Sequence, residues 1–156
     1  MKNFYALKYN LSQSNPSIIY ATGRHGIHRS TDGGETWKHI GEDAIFHLIS
    51  VDPVDPDIVY ASGNSVAMTP YMAYTTDGGQ TWNFVTTIQS MHSGTIYFIE
   101  IDSSPERAVY TATYSQFIRC YDNGITWETI EAPIVPRSLV IAKDKPELLY
   151  IASSAG

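Results

Sequence analysis

The sequence predicts an all-β fold built from repeated four-stranded antiparallel units, and three observations carry that reading. The octets STDGGETW (Ser30–Trp37), TTDGGQTW (Thr75–Trp82) and CYDNGITW (Cys120–Trp127) place Asp32, Asp77 and Asp122 45 residues apart, and their tryptophans keep the same interval. A second motif precedes each octet and occurs a fourth time: SIIYATG, DIVYASG, RAVYTAT and ELLYIAS, with tyrosines at 20, 60, 110 and 150. Helical periodicity is absent, while short β-branched and aromatic runs are bounded by Pro, Asp and Gly. A period of about 40–50 residues with four strands per unit is that of a β-propeller blade, which buries both faces against its neighbours.

The elements follow in order. Unit one (about residues 3–43) opens with a strand at Phe4–Tyr9, continues through SIIYATG and turns at GRHG (Gly23–Gly26) before its octet. Unit two (about 44–93) is the clearest. AIFHLISV (Ala44–Val51) is apolar with little alternation, as in a strand covered on both faces. DPVDPD breaks that strand, IVYAS is the second, and AYTT and TWNFVT form a hairpin across Asp77–Gln80. Asp-Gly marks a hairpin because glycine accepts positive φ without a Cβ clash. Unit three (about 94–132) repeats the pattern with a short turn at Tyr114–Gln116, and a partial unit (about 133–153) carries ELLYIAS but no octet. Three full blades and half of a fourth amount to fourteen strands and an incomplete ring, since closed propellers have about four to eight blades. An exposed sheet edge and an uncovered apolar blade face follow. Three explanations are open: a slice of a longer chain or a truncated reading frame, then self-association, in which two copies would supply the strand count of seven blades.

Composition narrows the function classes. Of 156 residues, 43% are hydrophobic and 17% charged, a globular balance. A net charge of −6 with scattered Lys and Arg argues against nucleic acid as a partner. No stretch approaches the roughly 20 apolar residues of a membrane helix, so no membrane insertion is expected, and MKNFYALKYN has no apolar run of signal-peptide type. Asn10-Leu11-Ser12 fits the glycosylation sequon, a match of three residues only. The single cysteine, Cys120, reads as a packed strand residue.

Ser/Thr-x-Asp-x-Gly-x-Thr-Trp resembles the Asp-box, or BNR repeat, of sialidases, xyloglucan-cleaving glycosidases, sortilin-type receptor ectodomains and photosystem II assembly factors. The matching positions are Ser30, Asp32, Gly34, Thr36 and Trp37; Thr75, Asp77, Gly79, Thr81 and Trp82; and Asp122, Gly124, Thr126 and Trp127. Unit three departs from the pattern with Cys120 and Asn123, which predicts a looser turn. The physical account of the box needs no ligand. Its carboxylate accepts backbone N–H groups of a tight turn, its Thr hydroxyl closes the loop, and its Trp covers the hairpin. Asp32, Asp77 and Asp122 are therefore read as structural, against a rival reading as catalytic or calcium-binding groups. A single active site needs different residues from different blades, whereas periodic identity fits a scaffold.

In an antiparallel blade the first and third connections share one face of the disc, so the boxes lie beside the Asp52–Asp57 and Asp102–Arg107 turns. The resemblance implies an active site on the opposite face. Its loops contain the candidate ligand residues Arg24, His25, Tyr71, His92 and Arg137. A glycosidase needs two placed carboxylates, and this face offers only Glu42, Asp43 and Glu131. A sialidase-like site would also need an arginine cluster, but the early Arg-Ile-Pro motif is absent. His25 and His28 have no evident third ligand, so no metal or other cofactor is expected. His47, inside an apolar strand, reads as a hydrogen-bonded core residue. The Gly33-Gly34 and Gly78-Gly79 pairs belong to hairpins rather than phosphate loops. The stretch Gly63–Met72, with Val66, Met68, Pro70, Tyr71 and Met72, reads as a long apolar loop that either binds a ligand or folds over the blade. The expected function is a non-catalytic repeat module binding a protein or glycan, with a fragment of an Asp-box glycoside hydrolase as the alternative. The resembled proteins are usually secreted, periplasmic or lumenal; the chain itself leaves its localisation open.

Overall fold

The computed structural model describes residues 6–41, 44–64, 70–85, 95–131, 134, 136–142 and 144–153. These form fourteen strands in four antiparallel sheets. The first sheet is β1 (Ala6–Leu11), β2 (Ile19–Gly23), β3 (Gly26–Ser30) and β4 (Lys38–His39). The second is β5 (Ile45–Val51), β6 (Val59–Asn64), β7 (Pro70–Thr75) and β8 (Asn83–Phe84). The third is β9 (Ile99–Ile101), β10 (Val109–Ala112), β11 (Phe117–Cys120) and β12 (Trp127–Thr129), and the fourth is β13 (Ser138–Ala142) with β14 (Lys145–Ala152). Strand order within each sheet follows the chain, as it does in a propeller blade.

Local chemistry explains the turns. At the first connection of unit two, the buried Asp52 carboxylate accepts the N–H groups of Val54 and Asp55, both at 2.8 Å, and so pins the Asp-Pro bend between β5 and β6. In unit three Asp102 does the same for Ser104 and, at 3.0 Å, Ala108. Unit one uses a shorter hydroxyl, Ser12, which accepts the Asn15 N–H. Arg107 of the third sheet reaches back to Asp52 at 3.3 Å, so this buried carboxylate also ties neighbouring blades.

The sheets pack face on face in sequence order. Ile18, Tyr20 and Ile27 of the first sheet meet Phe46, Ile49, Val51, Val59 and Ala61 of the second. Ile58, Tyr60 and Met72 of the second meet Ile99, Val109 and Ile118 of the third. Tyr110 and Phe117 of the third then cover Leu139 of the fourth. The same motif tyrosine is therefore buried in each of the three interfaces, at 0%, 1% and 6% exposure. Each delivers the large apolar area of an aromatic ring to its interface. Tyr20 adds a hydrogen bond from its hydroxyl to the Pro56 carbonyl in the next sheet (2.8 Å).

Three local expectations change. His47 is exposed rather than a core residue. The register slips between Phe46 and Leu48, so His47 is the extra residue of a β-bulge and turns out of the core face, 3.4 Å from Asn64. The long loop predicted over Gly63–Met72 shrinks at both ends: β6 runs through Asn64 and β7 starts at Pro70, paired with each other. Met72 is fully buried and Tyr71 is 5% exposed, edge-on to Phe46 and Phe84. Apolar residues that alternate across a paired strand are core, not loop surface. Val66 and Met68 lie outside the described residues. So do Phe4, Glu42, Asp43 and His92.

Candidate functional site

The octets close the β3–β4, β7–β8 and β11–β12 hairpins. In the first, Ser30 Oγ donates to Asp32 Oδ1 (2.7 Å) and accepts the Gly34 N–H (2.9 Å). Thr36 closes the loop, its N–H on Asp32 Oδ1 (2.9 Å) and its hydroxyl on Oδ2. The second repeats this atom for atom through Thr75, Asp77, Gly79 and Thr81, with Gln80 N–H added at 2.9 Å. Each of these two box turns is also tied to the first connection of its own unit, by Gly33 N–H to Ser17 O and Gly78 N–H to Asp57 O, both 2.9 Å.

Unit three is not looser at its core. Cys120 Sγ replaces the hydroxyl oxygen, donating to Asp122 Oδ1 (2.9 Å) and accepting the Gly124 N–H (3.1 Å). Thr126 N–H still reaches Asp122 at 2.7 Å. Asn123 takes φ 56°, the left-handed conformation that Gly33 and Gly78 adopt at 72° and 71°. Burial pushes the Cys120 thiol up, away from thiolate chemistry.

These bonds set the charge state of the boxes. Donors from Thr36, then Ser30, hold the Asp32 carboxyl at about 2. The Cys120 and Thr126 donors hold Asp122 at about 2. Thr81 and Thr75 push Asp77 lower still. A carboxylate whose oxygens are filled by its own turn is a poor general acid. The three boxes sit on different sheets, and among the described residues no group of three His, Cys, Asp or Glu is placed to hold a metal. The tryptophans complete the hairpins. Trp37 and Trp127 donate to the carbonyls of Gly34 and Gly124 in their own boxes (2.9 and 3.0 Å), while Trp82 reaches the Ile40 carbonyl of the preceding sheet (2.8 Å). An open groove of about 740 Å³ runs beside the first two boxes, bordered by Arg29, Trp37, Lys38 and Gln80.

The opposite face looks different. Arg24 and His25 are both exposed in the two-residue turn between β2 and β3. His28 lies in β3, its ring 5.1 Å from that of His39. Tyr71 is withdrawn into the core, as described above. Arg137 lies just before β13, and its guanidinium stands 4.0 Å over the Tyr97 ring and 5.6 Å from the Tyr114 ring. Tyr97 precedes β9, and Tyr114 is 69% exposed in the β10–β11 turn. Three different elements thus build a Tyr–Arg–Tyr stack at the junction of the third and fourth sheets. Sequence reasoning named Arg137 but not its two partners. The only signal for them was position, since strand starts and second connections meet at one end of antiparallel blades.

Sequence reasoning also missed one carboxyl. Glu100, on β9, lines a cavity of about 220 Å³ with Gln13, Pro53 and β13. Burial pushes its carboxyl up, against the opposing pull of Lys8. Asp102 borders the same cavity, but its Oδ1 is occupied by Ser104 and Ala108.

Comparison with known proteins agrees with this architecture. The BNR/Asp-box repeat model matches residues 28–39 and 73–84. No curated protein matches the chain. Among solved structures, the fold is similar to an ancestral GH74 enzyme (TM-score 0.69, 14% identity, 89% of this chain and 21% of that one). It is similar to a GH74 enzyme of Niastella koreensis (0.63, 17%, 90% and 25%). It is also similar to YCF48 bound to D1 peptide (0.61, 21%, 89% and 44%). The chain therefore spans well under half the length of the two GH74 enzymes and 44% of YCF48. It carries the BNR/Asp-box repeat, on sheets arranged as β-propeller blades.

Proposed function

We propose that the chain is a non-catalytic binding scaffold whose ligand seat is the Tyr97–Arg137–Tyr114 stack, and that its ligand is a protein segment carrying a carboxylate. The carrying observation is a partly buried guanidinium held 4.0 Å over one ring beside a second ring that is 69% exposed. Stacking on Tyr97 lowers the freedom the arginine would lose on binding. Its planar fork suits a carboxylate, and the open face of Tyr114 suits the apolar part of the same segment. YCF48, similar in fold, is bound to a peptide. That likeness supports a protein ligand by analogy of fold alone.

The glycan and glycosidase readings rest on other observations. An exposed tyrosine ring can also stack on a sugar, and two of the similar structures are GH74 enzymes. Glu100 is a carboxyl of the raised kind a general acid needs. Among the described residues the other carboxyl bordering its cavity is Asp102, whose Oδ1 is committed to its own turn.

One titration separates these readings. The chain is titrated with short peptides bearing Asp, Glu or a free C-terminal carboxylate, and with xyloglucan oligosaccharides and sialosides. Peptide binding weakened at least about tenfold by Arg137→Ala and by Tyr114→Ala, with unfolding temperature unchanged, supports the proposal. Binding of sugar alone replaces the protein ligand by a glycan. Turnover of any glycoside, lost in Glu100→Gln, overturns the non-catalytic reading.

A further inference from the structure

We propose that the groove beside the first two boxes binds an oxyanion, a carboxylate or phosphate group, between Arg29 and Lys38. The groove lies between the first and second sheets, on the face opposite the Tyr97–Arg137–Tyr114 stack, and is independent of that seat. The carrying observation is a buried donor with nothing to donate to. Arg29 Nε is withdrawn from water and, among the described residues, has no acceptor. Buried N–H groups are nearly always paired, so this one calls for an explanation.

The third sheet shows what is missing. The residues flanking the octets occupy equivalent places in the three hairpins: Arg29 opposite Lys38, Tyr74 opposite Asn83, and Arg119 opposite Glu128. Arg119 Nε donates to Glu128 Oε1 across its hairpin. The acceptor of that arginine is thus the carboxylate on the facing strand. In the first sheet a lysine stands there instead. Two cations then face each other on paired strands, which is unfavourable by itself. The rest of the Arg29 guanidinium is committed to the second sheet, with Nη2 donating to Asp57 Oδ1 and Nη1 to the Gly78 carbonyl (3.4 Å). These contacts hold the group in place without serving Nε.

The surroundings suit an anion. Arg29, Lys38, Thr31, Thr36 and Gln80 border the groove, and no Asp or Glu is among the described residues that line it. The nearest carboxylates are engaged, Asp57 by Arg29 and Asp32 and Asp77 by their own turns. The Arg29 side chain is 21% exposed and Lys38 is exposed, so both cations reach the groove. Nε itself is covered, and the ligand enters with a shift of the flexible Lys38 chain. An oxygen bound between Arg29 Nε and Lys38 Nζ takes the place that Glu128 Oε1 holds in the third sheet. It satisfies the donor and relieves the repulsion in one contact.

The test is an NMR titration of the full chain with sodium acetate and with inorganic phosphate, against sodium chloride at equal ionic strength. The reporter is the Arg29 Nε–H resonance, assigned by its loss in Arg29→Lys. A saturable shift with acetate or phosphate, and none with chloride, is expected; the tighter of the two identifies the group. Lys38→Gln weakens that binding about tenfold. Lys38→Glu supplies the third sheet's acceptor within the hairpin. It moves the resonance without any anion, abolishes the response and raises the unfolding temperature. Lys38 is exposed, so both variants fold. Arg137→Ala leaves the response as in the wild-type chain. A resonance that neither anion moves overturns the proposal. So does an equal shift with chloride, which is screening alone, or a saturable shift that survives Lys38→Glu.

Discussion

The two faces of the blade row are built on opposite principles. On the Asp-box face the same residues recur, and each satisfies its own turn: Asp32, Asp77 and Asp122 accept donors from within four residues of themselves. Among the described residues of the other face nothing recurs. Arg24 and His25 form a bare turn in the first sheet, Tyr71 is drawn into the core of the second, and Tyr114 leans on Arg137 of a neighbouring element in the third. Local satisfaction makes a rigid frame. Side chains from different elements, partly open to solvent, make a surface that can recognise something. Repetition in this chain therefore marks turns that satisfy themselves, and the proposed ligand seat lies where the repeat breaks down.

The strongest way to break that comparison is Arg137→Ala. It should reduce ligand affinity at least about tenfold while leaving stability within about 0.5 kcal/mol, the usual range for a surface change. Thr75→Val should do the reverse. Its Oγ1 is the acceptor for the Gly79 N–H in a buried bond, and losing it strands that donor at a cost of about 1–3 kcal/mol, read by urea unfolding, with no change in binding. Asp77→Ala should lower the unfolding midpoint by about 5 °C, again without touching affinity. Asn123→Gly should raise stability by about 0.5 kcal/mol, since the left-handed φ of 56° costs asparagine more than glycine. An effect of Thr75→Val or Asp77→Ala on binding at constant fold would erase the distinction between the faces.

Acid sharpens it further. The three box carboxyls have folded pKa values below their ordinary value of about 4: near 2 for Asp32 and Asp122, and lower for Asp77. Their stabilisation is fully present above about pH 4 and is lost as pH falls through about 2. The unfolding midpoint should fall across that window, and fall less in Asp77→Asn, which has no charge to lose.

Much of this was legible in sequence, and the residues that were not have physical reasons. The octets and tyrosine motifs declare the blade, because turn chemistry is local and a carboxylate must lie close in sequence to the amides it caps. Burial of Tyr60 follows from its strand pattern; Tyr150 has the same pattern and is 59% exposed, on the uncovered blade face that the count of units predicts. His47 escaped because a bulge adds one residue and reverses the side of everything after it, which composition does not register. The substitution of Cys120 for a hydroxyl suggested a looser turn, yet sulfur donates and accepts in the same two places. Tyr97, Tyr114 and Arg137 lie far apart in sequence and meet only through blade packing, so no local motif announces them.

The most direct test is a pH titration of the aspartate side-chain carboxyl carbons by NMR, with and without added calcium. The account predicts that Asp32, Asp77 and Asp122 titrate well below the ordinary carboxylate range and that calcium leaves their shifts unmoved. Titration near pH 4, or a common calcium-dependent shift of the three, would show that these carboxylates are free to serve a ligand and would contradict the structural role given to them.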